Sequence, residues 1–217
     1  KQRGSLPHLS EKVGANIRTN NESLLLLTNT GKESPDHTKG IAIGSILDID
    51  ENSHLEPVRY GTGSSFFRFL TMPAYPHSSV FMRILGIVGI LINRPIRALK
   101  TIFAKNYSER SVVLLFMQTL DSTLQLKLGK VTKLKTRKES GATPSGYIPE
   151  AARLAKLLGE KTKAIPYANI TDVLLGTPTT AHILGGAVMG PTAAEGVIDK
   201  HNRVFGYQNM MVCDGSM

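Results

Sequence analysis

Val112-Val-Leu-Leu-Phe116 is a run of five consecutive apolar residues. It has neither the alternation of a half-exposed strand nor the polar face of a surface helix, and it is too short for a buried helix of ordinary length. The run therefore predicts a strand over 111–117 that is covered on both faces. Leu24-Leu-Leu-Leu27 has no helical polar face, so residues 23–28 are expected to form a second, apolar strand. The strand-rich middle, followed by a helix and then a Gly-rich motif region, reads as an antiparallel sheet domain.

The flanking segments fit that plan. Ile41, Ile43 and Ile46 supply β-branched bulk for a strand over 41–49. A turn over 48–53 leads to Leu55-Glu56-Pro57-Val58-Arg59-Tyr60. Pro57 has no N–H to donate, so it predicts a sheet edge or a strand end, with Glu56 exposed beside it. Residues 30–40 read as loop, and Gly61-Thr-Gly63-Ser-Ser-Phe66 as turn chemistry. From Phe66 to Ile102 the chain turns apolar and aromatic with few carboxylates. The apolar run 84–92 is far shorter than the roughly 20 residues of a spanning helix. Two readings stand: a buried helix, or a helix lying on a bilayer surface with Arg68, Arg83, Arg94 and Arg97 at the headgroups. Pro149 opens a helix with Ala152, Leu154, Ala155 and Leu158 at helical spacing, which Gly159 is placed to end.

The net charge of +9 is concentrated in Lys127, Lys130, Lys133, Lys135, Arg137 and Lys138. Leu124, Leu126 and Leu128 alternate with polar residues there, and Val131 and Leu134 do so more loosely. The segment reads as a hairpin with one buried face and its lysines in solvent. No aromatic side chain interleaves with these cations, which argues against nucleic acid as a partner. Cys213 is the single cysteine, so an internal disulfide framework and a multi-cysteine metal site are excluded, and no metal is expected. No secretory leader follows Lys1. A cytoplasmic or peripheral-membrane location is expected.

The last third of the chain carries an ordered series: Thr180-Ala-His182-Ile-Leu-Gly185-Gly186, Gly196-Val-Ile-Asp199, Arg203-Val-Phe-Gly206 and Val212-Cys-Asp214-Gly215-Ser216. Residues 210–213 read as a strand ending in an Asp–Gly turn. In order and spacing the series resembles the C-terminal part of the glucose-methanol-choline (GMC) family of flavin oxidoreductases, in its cholesterol-oxidase-like branch. Leu6-Pro-His-Leu-Ser-Glu-Lys-Val-Gly14 through Arg18-Thr-Asn20 resembles that family's passage out of its flavin domain.

The resemblance implies a mixed α+β and α/β chain: an antiparallel-sheet substrate domain with helices, plus partial Rossmann-like pieces of an FAD-binding domain. It places an exit segment at 1–35, the substrate-binding domain at 36–165 and the return into the FAD domain at 166–217. The Gly-x-Gly-x-x-Gly turn that brings backbone N–H groups to a pyrophosphate does not occur in this sequence. The family's second catalytic residue is expected beyond Met217. The residues are thus expected to be a C-terminal portion of a longer enzyme, inactive without the remaining FAD-domain residues of the parent chain.

The resemblance further implies that His182 accepts or orients the proton of a substrate hydroxyl, work suited to a neutral imidazole near neutral pH. Gly185 and Gly186 permit close backbone packing, and Asp214 and Gly215 are assigned to contact with the ribityl and diphosphate of FAD. Ala187 stands where family members often carry cysteine, a change without consequence for hydride transfer. Glu56 falls near the position of the glutamate with which cholesterol oxidases shift a steroid double bond, so catalysis stands beside the exposed edge-strand reading. The implied substrate is a bulky apolar alcohol such as a sterol. A non-sterol alcohol, or a non-catalytic lipid or membrane-surface module, remains as the alternative.

Overall fold

The computed structural model describes residues 4–31, 35–129 and 134–217. In chain order its strands are β1 (Arg18–Thr19), β2 (Ser23–Thr28), β3 (Leu47–Asp50), β4 (Ser53–Val58), β5 (Thr71–Pro73), β6 (Ser111–Gln118), β7 (Ser122–Lys127), β8 (Lys135–Gly141), β9 (Pro166–Asn169) and β10 (Ile183–Leu184). Its helices are α1 (Val80–Asn93), α2 (Pro95–Ile102), α3 (Tyr107–Arg110) and α4 (Pro149–Thr162), with a 3-10 helix at Thr62–Phe69. The named sheets are antiparallel, and with these helices the fold is α+β.

The chain forms two compact units. One comprises Asn21–Thr119 and Pro144–Thr179; the other comprises the described part of residues 1–20 with Leu120–Thr143 and Thr180–Met217. These limits differ from the expected divisions at 35/36 and 165/166. The physical reason is β2, which sits inside the large sheet of the first unit, hydrogen-bonded to β6 on one side and β9 on the other.

That sheet has the order β3-β4-β6-β2-β9-β5. The two continuously apolar runs thus occupy its middle, where strands must be covered on both faces. Leu25, Leu55, Leu114 and Phe116 pack on one face with Ile87 of α1 and Ala151 and Ala155 of α4. Leu26, Val113 and Tyr167 pack on the opposite face with Ala98 of α2 and Tyr107 of α3.

Several local expectations are corrected. Residues 41–46 make no strand; Ile43 forms only an isolated bridge to Val58. Pro57 lies in an interior strand, yet β3 pairs only with Ser53, His54 and Leu55. Beyond Leu55 the β3 side of β4 has no ladder, so the missing N–H of Pro57 costs no ladder hydrogen bond. Gly159 does not end α4, which continues to Thr162 and stops at Lys163 with φ +55°. A Cβ on Gly159 would lie 3.0 Å from the Ala164 carbonyl oxygen and from Pro166, so its smallness lets the chain fold back into β9. The α1 segment is not a buried helix: Arg83 and Ile87 are its buried residues, while Phe81 is 67% and Ile92 71% exposed. Among the described residues, no helix is long and apolar enough to cross a membrane.

In the second unit β7 and β8 form the expected hairpin. Its leucine face is only partly realised, with Leu124 and Leu126 half-buried and Leu128 and Leu134 exposed. Lys130, Val131 and Lys133 lie outside the described residues. Val197, Ile198 and Val204 form this unit's core, with Leu9 and Tyr207 against it. Residues 210–213 form no strand, Met211 making only a bridge to Arg203.

Candidate functional site

His182 immediately precedes β10, which pairs with β1 in the register Arg18↔Leu184 and Thr19↔Ile183. Its imidazole is on an exposed residue, and its backbone N–H donates to Thr180 Oγ1 at 3.2 Å. Directly after β10 the chain enters the left-handed region, with φ +84° at Gly185 and +96° at Gly186. These angles suit glycine, and at Gly185 space demands it as well: a Cβ would lie 2.1 Å from the Asn16 carbonyl oxygen.

The turn so formed is tied to the chain terminus. Gly185 N–H donates to the Gly215 carbonyl (2.9 Å), Ala187 N–H to the Ser216 carbonyl (2.8 Å), and Gly14 N–H to the Gly186 carbonyl (2.7 Å). A Cβ on Gly215 would lie 2.9 Å from Leu184 Cδ2. The His-x-Leu-Gly-Gly run and the Asp-Gly-Ser turn are thereby brought together, placing His182, Gly185, Gly186, Asp214 and Gly215 in one constellation.

Asp214 Oδ1 accepts from Ser216 N–H (2.8 Å) and Ser216 Oγ (2.5 Å), and these bonds hold its carboxyl below the usual range. Oδ2, and the N–H groups of Gly186 and Gly215, make no hydrogen bond among the described residues. One anionic acceptor and two backbone donors are therefore left without a partner among the described residues, groups of the kind that suit the hydroxyls and phosphates of a dinucleotide. Nearby in sequence, Asp199 accepts from Arg203 Nε (2.8 Å) and lies 2.7 Å from Arg203 Nη2, and this fork holds its pKa at about 2. The pair fixes the Gly196–Gly206 loop, a structural role the sequence motif did not reveal.

Glu56 belongs to the other unit. It is 7% exposed, which overturns the exposed edge-strand reading; β6 pairs alongside it, with Glu56 opposite Leu115. Its Oε1 lies 3.6 Å from Nε2 of His54, two residues away on the same strand face.

The sequence reading missed a buried ionic site in the same unit. Arg83, which one of the two readings of its helix put at a membrane surface, is 4% exposed; Nη1 donates to the Asp172 carbonyl (2.5 Å) and Nη2 to the Ser78 carbonyl (3.2 Å). Asp172 is 2% exposed, and its Oδ1 accepts from Thr179 Oγ1 (3.0 Å) and Thr171 Oγ1 (3.4 Å). Burial pushes its pKa up to about 6 against the opposing pull of those bonds and of Arg83. The partners lie 89 residues apart, so no local pattern could have paired them.

A raised folded-state pKa means that this group's contribution to stability is full below the unfolded value near 4 and is lost as pH rises through about 6. Asp172→Asn is expected to be more stable than the parent at pH 7.5 by on the order of 2 kcal/mol, with the difference nearly gone at pH 4. Urea unfolding at the two pH values checks this; a pH-independent difference would contradict it.

Comparison with known proteins adds to this geometry. A family model described as GMC oxidoreductase matches residues 138–217. The whole chain aligns with a cholesterol oxidase of Acinetobacter baumannii at 34% identity over 225 residues, and with a cholesterol oxidase of Mycobacterium tuberculosis at 32% over 226. The chain spans 39% of the length of each of these relatives.

Proposed function

The chain belongs to the GMC oxidoreductase family, and from that premise we propose that its residues form the substrate side of an FAD-dependent oxidoreductase that oxidises the hydroxyl of a bulky apolar alcohol, a sterol. The observation that carries this reading is the backbone stitching of the His182–Gly186 run to the Asp214–Ser216 turn, which joins a proton acceptor to a dinucleotide-fitting donor set. Gly186 and Gly215 N–H would hold phosphate oxygens and Asp214 Oδ2 a ribityl hydroxyl. FAD, when bound, supplies the hydride acceptor. His182 holds the substrate hydroxyl and takes its proton, which leaves the carbinol carbon free to lose hydride. Glu56, buried with His54 beside it, is the base that would move a ring proton after oxidation. The test is product analysis: the flavin-loaded enzyme converts cholesterol to the ketone with its double bond shifted, and Glu56→Gln yields the unshifted ketone. Absence of any ketone contradicts the reading.

A specific observation favours membrane-surface contact alongside catalysis. Phe81, Ile92, Ile96, Leu99 and Phe103 of the α1–α2 region are all exposed, next to the exposed cations Arg94 and Lys100. A water-insoluble alcohol would reach the enzyme from such a surface. Sedimentation with vesicles containing anionic lipid is expected to fall at least several-fold in Phe81→Ser/Ile92→Ser and to weaken with salt. Equal sedimentation of parent and variant would contradict this contact.

A further inference from the structure

A hollow of about 700 Å³ opens in the first unit where three segments meet: the loop 29–31 after β2, the α1–α2 junction and the C-terminal end of α4. Its lining includes four cations, Arg94, Arg97, Lys100 and Lys163, and no carboxylate among the described residues. None of the four is in an ion pair among the described residues; Glu160, which shares a neighbouring cavity with Arg94, does not pair with it. Four like charges around one hollow repel one another, a cost that a bound anion offsets. The carbonyl ends of α1 and α4 also border the hollow, but a helix end carries only about half a negative charge, so the hollow stays positive. Its rim is held in place: Arg110 Nη1 donates to the Gly31 carbonyl (2.7 Å), and Gly31 N–H to Asn29 Oδ1 (2.8 Å).

The helix that supplies two of these cations has three flanks. Ala98 and Thr101, three residues apart, are buried. Arg97 and Lys100, at the same spacing, line the hollow. Ile96, Leu99 and Phe103 follow at i, i+3 and i+7 and are 69%, 55% and 74% exposed. With 3.6 residues per turn, this apolar flank adjoins the basic one. A free phosphate ester has no use for the apolar flank. A membrane lipid uses both: its phosphate enters the hollow while Ile96, Leu99 and Phe103 reach the acyl boundary beside it. A phosphate monoester carries a charge of about −1.5 to −2 and three terminal oxygens, whereas a diester has a single charge. Two arginine forks and two ammonium groups match the monoester better.

We propose that this hollow is a headgroup site for a membrane lipid ending in a phosphate monoester, held by Arg94, Arg97, Lys100 and Lys163. The site gives the membrane-surface contact of α1 and α2 a chemical selectivity, and it rests on that contact only for the source of the phosphate. Diffuse attraction by surface cations follows the charge of a bilayer, whereas cations placed around one hollow distinguish headgroups at equal surface charge.

Isothermal titration calorimetry of the full chain with dibutyryl phosphatidic acid and dibutyryl phosphatidylglycerol, both water-soluble, tests the hollow without a bilayer. The parent is expected to bind the first about ten-fold more tightly, the effect of one further hydrogen bond to a charged group. Arg97→Gln/Lys100→Gln keeps good helix formers on α2 and is expected to lose that binding by about ten-fold or more. Lys135→Gln/Lys138→Gln removes the same charge from exposed positions on β8 and is expected to bind like the parent. Sedimentation with vesicles of either lipid, adjusted to the same zeta potential, identifies the source: the parent prefers phosphatidic acid, and Arg97→Gln/Lys100→Gln does not. Phe81→Ser/Ile92→Ser is expected to lose the vesicles and keep the soluble probe, so a failed apolar contact and a failed headgroup site read differently. Equal affinity of the parent for the two soluble probes, or equal weakening by the α2 and β8 double variants, would overturn the proposal. So would glycerol 3-phosphate binding as tightly as dibutyryl phosphatidic acid with no vesicle preference, which marks a site for a free phosphate ester. Circular dichroism checks the fold of each variant, and the parent's preference between the soluble probes decides should Arg97→Gln/Lys100→Gln not fold.

Discussion

Replacing His182 by glutamine is expected to slow flavin reduction by an apolar alcohol roughly 10²–10⁴-fold, the range that loss of a positioned proton acceptor costs. Glutamine retains a hydrogen-bonding head and most of the volume, but it cannot take a proton near neutral pH. His182 is an exposed residue, and its N–H bond to Thr180 Oγ1 is a backbone bond that the substitution keeps, so the change is expected to cost the fold little. The thermal midpoint should stay within about 2 °C of the parent, since exposed substitutions usually cost under about 0.5 kcal/mol. Stopped-flow flavin absorbance separates this from a binding defect: the limiting rate falls at saturating alcohol. A variant that reduces flavin at the parent rate would remove His182 from the chemistry.

Gly185→Ala is expected to have the largest effect on stability. Alanine at φ +84° carries a left-handed penalty of roughly 1–2 kcal/mol. The added Cβ must also clear the Asn16 carbonyl oxygen, which sits 2.1 Å from its ideal position. That oxygen is backbone, so relief requires moving the chain next to β1, and with it the Gly185-to-Gly215 hydrogen bond. A total loss of about 3–5 kcal/mol in the unit that contains these residues is expected, read as a lowered urea midpoint at unchanged slope. Flavin affinity should fall with it, because the turn that aligns the two motifs is what moves. Gly89→Leu serves as the contrast, since its Cβ meets nothing within 4 Å. A Gly185→Ala protein as stable as the parent would contradict the close packing seen here.

The parts of this fold that were legible in the sequence are those in which one short stretch decides its own environment. Val112 to Phe116 reads as a strand covered on both faces and Leu24 to Leu27 as an apolar strand, and they became β6 and β2 at the centre of the sheet. Alternation in Leu124 and Leu126 was enough for the β7–β8 hairpin. Where the outcome depends on distant partners, local reading fails. Ile41 and Ile46 carry strand propensity, but only Ile43 finds a bridge. Gly159 looks like a helix stop and is instead a contact point for the chain returning through Ala164 and Pro166. The apolar run of α1 looked like core because hydrophobicity reports affinity for burial, not the availability of a covering layer. Arg83 shows the converse: a lone cation in an apolar helix reads as a surface anchor until Asp172 and Ser78 appear beside it.

For the candidate site, residue types and order were legible and their assembly was not. Asp214 and Gly215 form an ordinary turn dipeptide, and a histidine before two glycines proves nothing alone. Their hydrogen bonds join two segments through backbone atoms, which carry no sequence signature. Glu56 was legible as a carboxylate in the right stretch, but its burial depends on its neighbours in the sheet and was misjudged from Pro57.

The most direct test of the central claim is the visible spectrum of the flavin-loaded enzyme before and after anaerobic addition of cholesterol. If these residues serve alcohol oxidation, the oxidised flavin bands bleach on mixing, and His182→Gln bleaches more slowly by the factor given above. Flavin that stays oxidised with cholesterol and with non-sterol apolar alcohols alike would contradict the account.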